Sequence, residues 1–194
     1  YFNDQGKAEN SERSSRFLAA SNEAERAEEL FLSFAEDYDD SLGGVASFRA
    51  AAIQYRDKRY VESAKNFKDA ATKLHGDPLA GRALLGQAVS LIKSGGNGAG
   101  ENGIAILREI AGNDSLLPSD RAEARFLLAV QALADDDENA FSSELEILAA
   151  DVNASSFHTR LVELSKARKL LQTAQSLADL NLENGREFLA NNKK

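Results

Sequence analysis

Residues 45–74 read VASFRAAAIQYRDKRYVESAKNFKDAATKL. Two apolar patterns of helical spacing sit back to back here, joined by the charged link Arg56–Arg59. Small residues fall where two helices must touch: Ala51, Ser63 and Ala70. Larger ones, Phe48, Ile53, Tyr55, Tyr60 and Phe67, stand beside them. The stretch predicts a helical hairpin, and a hairpin of this kind cannot bury both of its apolar faces alone.

Composition extends the helical reading outward. Hydrophobic residues make up 43% of 194, and Pro occurs only twice. Alanine and leucine dominate over β-branched residues, which favours helix over strand. The net charge is −8 and the pI about 4.9. That balance offers no basic stripe for nucleic acid and no polybasic patch for a membrane surface. Cysteine is absent, so neither a disulfide framework nor a thiolate metal site is available. No apolar run reaches the roughly 20 residues of a membrane span. The chain opens Tyr1-Phe2-Asn3-Asp4 without Met. The expectation is a fragment or processed form, with a tag, signal peptide or membrane anchor ahead of Tyr1.

The same two-helix pattern recurs along the chain. Tyr1–Asn10 is polar and predicts a frayed entry. A leading helix is expected within 11–40, with Phe17, Ala20, Ala24, Ala27, Phe31 and Phe34 at spacings of three and four, and Ser11 or Ser21 as cap. Glu23–Glu25 suits its first turn. The central hairpin follows at 42–74, closed by Gly76 as the C′ residue and Asp77-Pro78 as the next start. A second pair spans 78–112, with the glycine-rich link SGGNGAGENG expected to be a mobile loop. A third spans 119–150, with Ser119 or Asp120 as its first cap and the acidic turn Asp135–Asn139 between its helices. A long helix at 155–183 caps the array, Asn184-Gly185 stops it, and 184–194 is a tail. The four sets Ala27/Phe31/Phe34, Ser63/Phe67/Ala70, Gly103/Leu107/Ile110 and Phe141/Leu145/Leu148 each fall at i, i+4, i+7. Their first members lie 36, 40 and 38 residues apart.

That period and those residues resemble the tetratricopeptide repeat, whose helix–turn–helix unit is about 34 residues long. Ala51, Ser63, Phe67 and Ala70 match the family's order of small, small, aromatic and small residues. Tyr60 takes its aromatic position, and Leu85-Gly86 looks like its leucine–glycine pair. Gly103 follows Gly86 at a longer distance than the family allows, and Phe141 stands where a small residue is expected. The resemblance implies a single domain, 1–194: a right-handed superhelical array of antiparallel helix pairs, an all-α solenoid. Residues 34–51, FAEDYDDSLGGVASFRAA, are similar to a phrase of bacterial envelope repeat proteins. The order of elements resembles the YfgM-type ancillary translocon subunits, which have one N-terminal membrane helix and a periplasmic repeat domain. That similarity implies the periplasmic face of the bacterial inner membrane, with the cytoplasm as the alternative, and carries over no catalytic residue.

Chemistry-bearing patterns are weak. Gly98–Gly103 spells the dinucleotide fingerprint, but a helix rather than a strand precedes it, so an inter-helix loop is the better reading. Asp135–Glu138 lacks the alternating ligands of a calcium loop and reads as a solvated turn that supplies an N-cap. His75 and His158 are the only histidines, lie on different repeats and carry no metal-ligand spacing. The two sequons at Asn113 and Asn153 read as turn and cap residues. No nucleophile elbow is present. The expectation is no catalytic, cofactor or metal site. The first helices of the pairs would line a concave surface, and there Phe48, Tyr55, Arg56, Arg82, Gln87, Arg125 and Gln131 are the candidates for partner contact. The family's Lys/Asn clamp for acidic C-terminal peptides is not available, because Phe48 and Ala52 occupy its positions. The function expected is a non-catalytic scaffold binding a protein or peptide in a helical groove. The alternative is a structural oligomerisation module built on the long C-terminal helix, and below that an enzyme domain.

Overall fold

The structure, a computed structural model, describes residues 11–19, 26–96 and 98–191, with side chains beyond 176 described only at Glu183. The expected frayed entry at Tyr1–Asn10 and the Ser21 and Glu23–Glu25 cap fall outside these residues. So do the side chains of Leu177 and Ala178 and the end of the tail.

The fold is all-α, and no strand occurs among the described residues. The helices are α1 (11–19), α2 (Ala27–Asp37), α3 (Ser41–Arg56), α4 (Tyr60–Lys73), α5 (Ala80–Ser94), α6 (Ala99–Gly112), α7 (Pro118–Ala134), α8 (Glu138–Ala150) and α9 (Ser155–Asn191). A single 3-10 turn, Val152–Ala154, leads into α9. Helices pack on their neighbours in chain order: α2 on α3, α3 on α4, α4 on α5, α5 on α6, and α8 on α9. The chain forms two compact units, Tyr1–Leu128 and Ala129–Lys194.

Three helix starts have an aspartate behind them. Asp40 opens α3 by accepting from the amides of Leu42 and Gly43 at 3.0 and 3.1 Å. Gly43 must be glycine, because a Cβ there would stand 1.9 Å from the Tyr38 carbonyl oxygen. Asp77 accepts from the Leu79 amide at 2.7 Å, just ahead of α5, and the preceding Gly76 takes φ 81°. Asp137 caps α8 through the Ala140 amide at 3.0 Å, the role its acidic turn suggested.

The α3–α4 and α7–α8 links are three residues each and close in the same way. Lys58 and Asp136 sit in the left-handed region at φ 61° and 59°. The next amide then reaches back into the last turn: Arg59 to the Gln54 carbonyl and Asp137 to the Ala132 carbonyl, both at 2.9 Å. This is the Schellman closure, built twice on residues other than glycine.

The small residues of the central hairpin are where the helices meet. Ala51, Ser63 and Ala70 have no solvent exposure. Phe67 is buried and lies edge-on to Phe48, ring centres 5.3 Å apart. The first core gathers Phe31, Phe34, Ala35, Ala46 and Ala50 from α2 and α3, with Phe17 of α1 tilted onto Phe31 and edge-on to Phe34. The second joins Ala70 and Leu74 to Ala80 and Ala83. The third joins Leu85 and Ala88 of α5, Leu107, Ile110 and Ala111 of α6, and Ala124 and Leu128 of α7.

Four boundaries differ from the sequence expectation. The one leading helix expected within 11–40 is two, because α2 has its own start at Ala27 and Phe17 of α1 packs back on Phe31 and Phe34 of α2. Helix α6 starts at Ala99, so only the first part of the glycine-rich run is a link. The cause is Gly103, which is buried and seats α6 on α5: a Cβ there would lie 2.6 Å from the Ala88 carbonyl oxygen. Helix α7 starts at Pro118, one turn position ahead of Ser119 and Asp120, as suits a proline at a first helical residue. Helix α9 runs through Asn184-Gly185 to Asn191. A glycine costs a helix interior about 1 kcal/mol, which the helix formers on either side offset.

Candidate interaction surface

Polar side chains bind the helices of the first unit to one another. Ser63 is fully buried on α4. Its hydroxyl donates to the Ala51 carbonyl of α3 at 2.9 Å and lies 3.0 Å from the Ser90 hydroxyl of α5. A hydroxyl has one proton, so Ser90 is the donor in the second bond. Three helices are thus bonded through one atom.

A second network centres on Glu28 of α2. Arg59, in the α3–α4 link, donates to both of its carboxylate oxygens, one bond at 2.8 Å. Gln54 donates to the same carboxylate at 2.9 Å and accepts from Asn66 of α4 at 2.8 Å. The Arg59 bonds hold the Glu28 carboxyl below its ordinary value against the opposing effect of burial, with help from Gln54. A third network ties Ser47 of α3 to Asp69 of α4. Lys73 bonds that carboxylate at 3.1 Å and donates to the Ala35 carbonyl of α2 at 2.7 Å.

Asp120, in the first turn of α7, has no solvent exposure. Its Oδ1 meets Arg82 Nε of α5 at 2.9 Å, and Arg82 also pairs with Glu123. Its Oδ2 has no hydrogen-bond partner among the described residues. That oxygen lies against Gly81, where a Cβ would stand 2.3 Å away. Burial pushes the Asp120 carboxyl up, Arg82 pulls it down, Glu123 adds to the rise, and the result lies above the ordinary value.

The seven candidate contact residues are placed as follows. Phe48 is half-buried on Phe67 and against the Ala70–Leu74–Ala80–Ala83 core. Tyr55 is half-buried, edge-on to Tyr60 at 5.4 Å. Arg56 is exposed beside Asp57 at 3.2 Å. Arg82 is held by Asp120 and Glu123. Gln87 is half-buried on α5. Arg125 donates to the Ala111 carbonyl of α6 at 3.1 Å. Gln131, in the second unit, donates to Asp135 one turn on. Phe48, Tyr55, Arg56, Arg82, Arg125 and Gln131 thus have partners within the fold. His75 is exposed after α4, and His158 is half-buried on α9.

The second unit holds a groove that sequence reading did not single out. It has a volume of about 270 Å³ and lies between the α7–α8 turn, α8 and α9. Leu133, Phe141 and Leu145 supply apolar surface. Asp136, Asp137 and Glu138 of the turn and the α8 start, and Arg168 and Lys169 of α9, add charge to its lining. Arg168 pairs with Asp136, which ties α9 to the α7–α8 turn. The only sequence sign of it was Phe141, a large residue at a position that the repeat pattern assigns to a small one. A cavity lined by apolar side chains with a few charged groups is the usual form of a recognition site.

Among the described residues no helix is long and apolar enough to cross a membrane, and no cluster of three or more acidic or histidine side chains is arranged to hold a metal. Comparison with protein-family models, with curated proteins and with solved structures finds no match.

Proposed function

We propose that the chain is a non-catalytic protein-interaction scaffold, built from tetratricopeptide-like helix pairs, that takes a segment of a protein partner. The observation that carries this reading is the groove of the second unit. Its apolar surface at Leu133, Phe141 and Leu145 suits one or two buried anchors. Its lining carries both signs, Asp137, Glu138 and Lys169 beside the Asp136–Arg168 pair, which suits a segment bearing both signs. The polar networks of the first unit support the same reading, because they hold consecutive helices in fixed register and make a rigid presenting surface. The site is the bacterial cell envelope, on its periplasmic side, supported by the resemblance carried by residues 34–51.

The test is affinity capture from the source cell's envelope fraction, with the intact chain and with Leu145→Glu as matched baits. Leu145 is half-buried in the groove, so the added charge desolvates badly against a bound apolar anchor. The reading expects a discrete partner on the intact chain that is lost from the variant at equal helicity. Identical capture by both baits contradicts it.

A further inference from the structure

The C-terminal end of α2 is acidic where helix electrostatics favours the opposite. Glu36 and Asp37 close the helix, Asp39 and Asp40 follow it, and no basic residue stands in its last turn. The free carbonyls of a helix end carry partial negative charge, so this end is short of cations. Helix α1 supplies them. Arg13 pairs with Asp40 and Arg16 with Asp37. Both guanidinium groups also lie over the Tyr38 ring, 4.8 and 5.6 Å from its centre, and Arg16 donates to the Tyr38 hydroxyl at 3.4 Å. One residue on, Phe17 meets Phe31 and Phe34 with ring centres 5.7 and 5.6 Å apart. Two cations three residues apart, with an aromatic ring next to the second, therefore define what this face accepts.

Helix α1 fits the face imperfectly. Among its nine described residues Arg13 and Phe17 are half-buried and the other seven are exposed, Leu18 at 60%. A helix gains most of its stability by packing one face, and this one buries only two side chains even in part. Arg13 Nε is buried and has no hydrogen-bond partner among the described residues. A guanidinium donor taken from water and left unpaired is a cost that the docked state carries. Arg16 and Asp37 stand 40% and 50% in solvent, so their pair is weak and screened by salt. The face beneath has its own supports. Phe31 and Phe34 pack with Ala46 and Ala50 of α3, and Asp40 is fixed by the Leu42 and Gly43 amides. A competitor that bonds the same carboxylates and satisfies all of its donors displaces α1.

We infer that α1 is a displaceable strap over a docking face, formed by Phe31, Phe34, Asp37, Tyr38 and Asp40, that takes an amphipathic helix of a protein partner bearing two basic residues three apart and an aromatic residue after the second. The strap keeps the face covered until such a helix competes for it. The face belongs to the first unit and the groove to the second, so the two readings stand or fall separately.

The probe is a fluorescent, helix-stapled peptide with the sequence of residues 11–19, SERSSRFLA, titrated into the full chain and read by anisotropy. Two chains are compared: the parent and Arg13→Glu/Arg16→Glu, whose own α1 is repelled by Asp37 and Asp40. Both arginines lie outside the apolar cores, and circular dichroism checks that the variant keeps its helices. The inference expects the variant to bind the probe at least tenfold tighter than the parent. It expects that binding to fall at least tenfold in about 1 M salt, where the Debye length is roughly 3 Å. Adding Asp37→Asn to the variant should weaken the probe several-fold, which places it on this face. No binding to the variant, equal binding to both chains, or equal binding of a peptide with both arginines changed to glutamate overturns the inference. Hydrogen exchange on the parent tests the strap without any substitution. The amides of α1 should exchange at least tenfold faster than those of α2, and equal protection overturns it.

Discussion

The Phe67 ring lies so close to Gly86 that a Cβ at Gly86 would stand 2.7 Å from its Cε1 and Cζ. Phe67 is itself buried and set edge-on against Phe48, so it has little room to yield. The closeness of α4 and α5 therefore depends on a missing methyl group. Gly86→Ala should destabilise the fold by about 1–3 kcal/mol, the usual cost of overpacking. Gly100, in the first turn of α6, faces open space. Gly100→Ala should stabilise by about 0.4–1 kcal/mol through the unfolded chain. Thermal melts of the two variants check the contrast, and equal shifts would mean that α4 and α5 are not in close contact at Gly86.

The Glu28–Arg59 pair makes a pH-dependent prediction. The Glu28 carboxyl is held below its ordinary value of 4.5. Its contribution is therefore present above that value and is lost as pH falls through the lowered folded pKa. Glu28→Gln should cost about 1 kcal/mol near neutral pH, since the pair is partly exposed. The gap to the parent should close in acid. A gap that stays constant with pH would show that the loss comes from shape and not from charge.

Asp120 has the opposite sign. Its carboxyl is raised above 3.8, chiefly by burial. A raised carboxyl contributes fully below its unfolded value and loses that contribution as pH rises through the folded pKa. Asp120→Asn keeps an oxygen for Arg82 and removes the buried charge. Relative to the parent, the variant should gain melting temperature between acid and neutral pH. A variant that loses ground over that range would mean that Arg82 more than compensates the burial of Asp120.

Lys58 holds φ 61° at the C′ position after α3. Lys58→Gly should stabilise by about 0.5–1 kcal/mol, because only glycine adopts that region without a Cβ penalty. A chemical-denaturation midpoint that falls would show that the Lys58 side chain makes a contact outweighing its backbone strain.

The helix pairs were legible because their signal is local. Spacings of three and four, with Ala51, Ser63 and Ala70 at the contacts, identify helices and their buried faces without knowledge of partners. The Asp137 cap was legible for the same reason: its chemistry acts within a few residues. The Gly76 and Asp77-Pro78 signals marked the right link but not its residues, since α4 ends at the Leu74 cap and α5 starts at Ala80. Non-local pairing was not. Glu28 and Arg59 lie far apart in sequence, and no period links them. Asp120 read as a cap because its type suits one, whereas Arg82 draws it into the α5–α7 contact. Among the candidate contact residues, Arg82 and Arg125 read as available cations because sequence shows charge and not its partner. The α8–α9 groove left only the oversized Phe141 as a sign, since a groove is made by two helices and belongs to neither.

The central claim is that the groove beside Phe141 receives a protein segment. Ser142 is exposed on its lining, and Arg108 is exposed on α6, in the other unit. A photoreactive side chain at each position, activated in the source cell, tests the claim most directly. The account predicts a discrete heterologous adduct from position 142, abolished by Leu145→Glu and not formed from position 108. Adducts of equal yield and pattern from both positions, or an adduct from 142 that persists with Leu145→Glu, would contradict it.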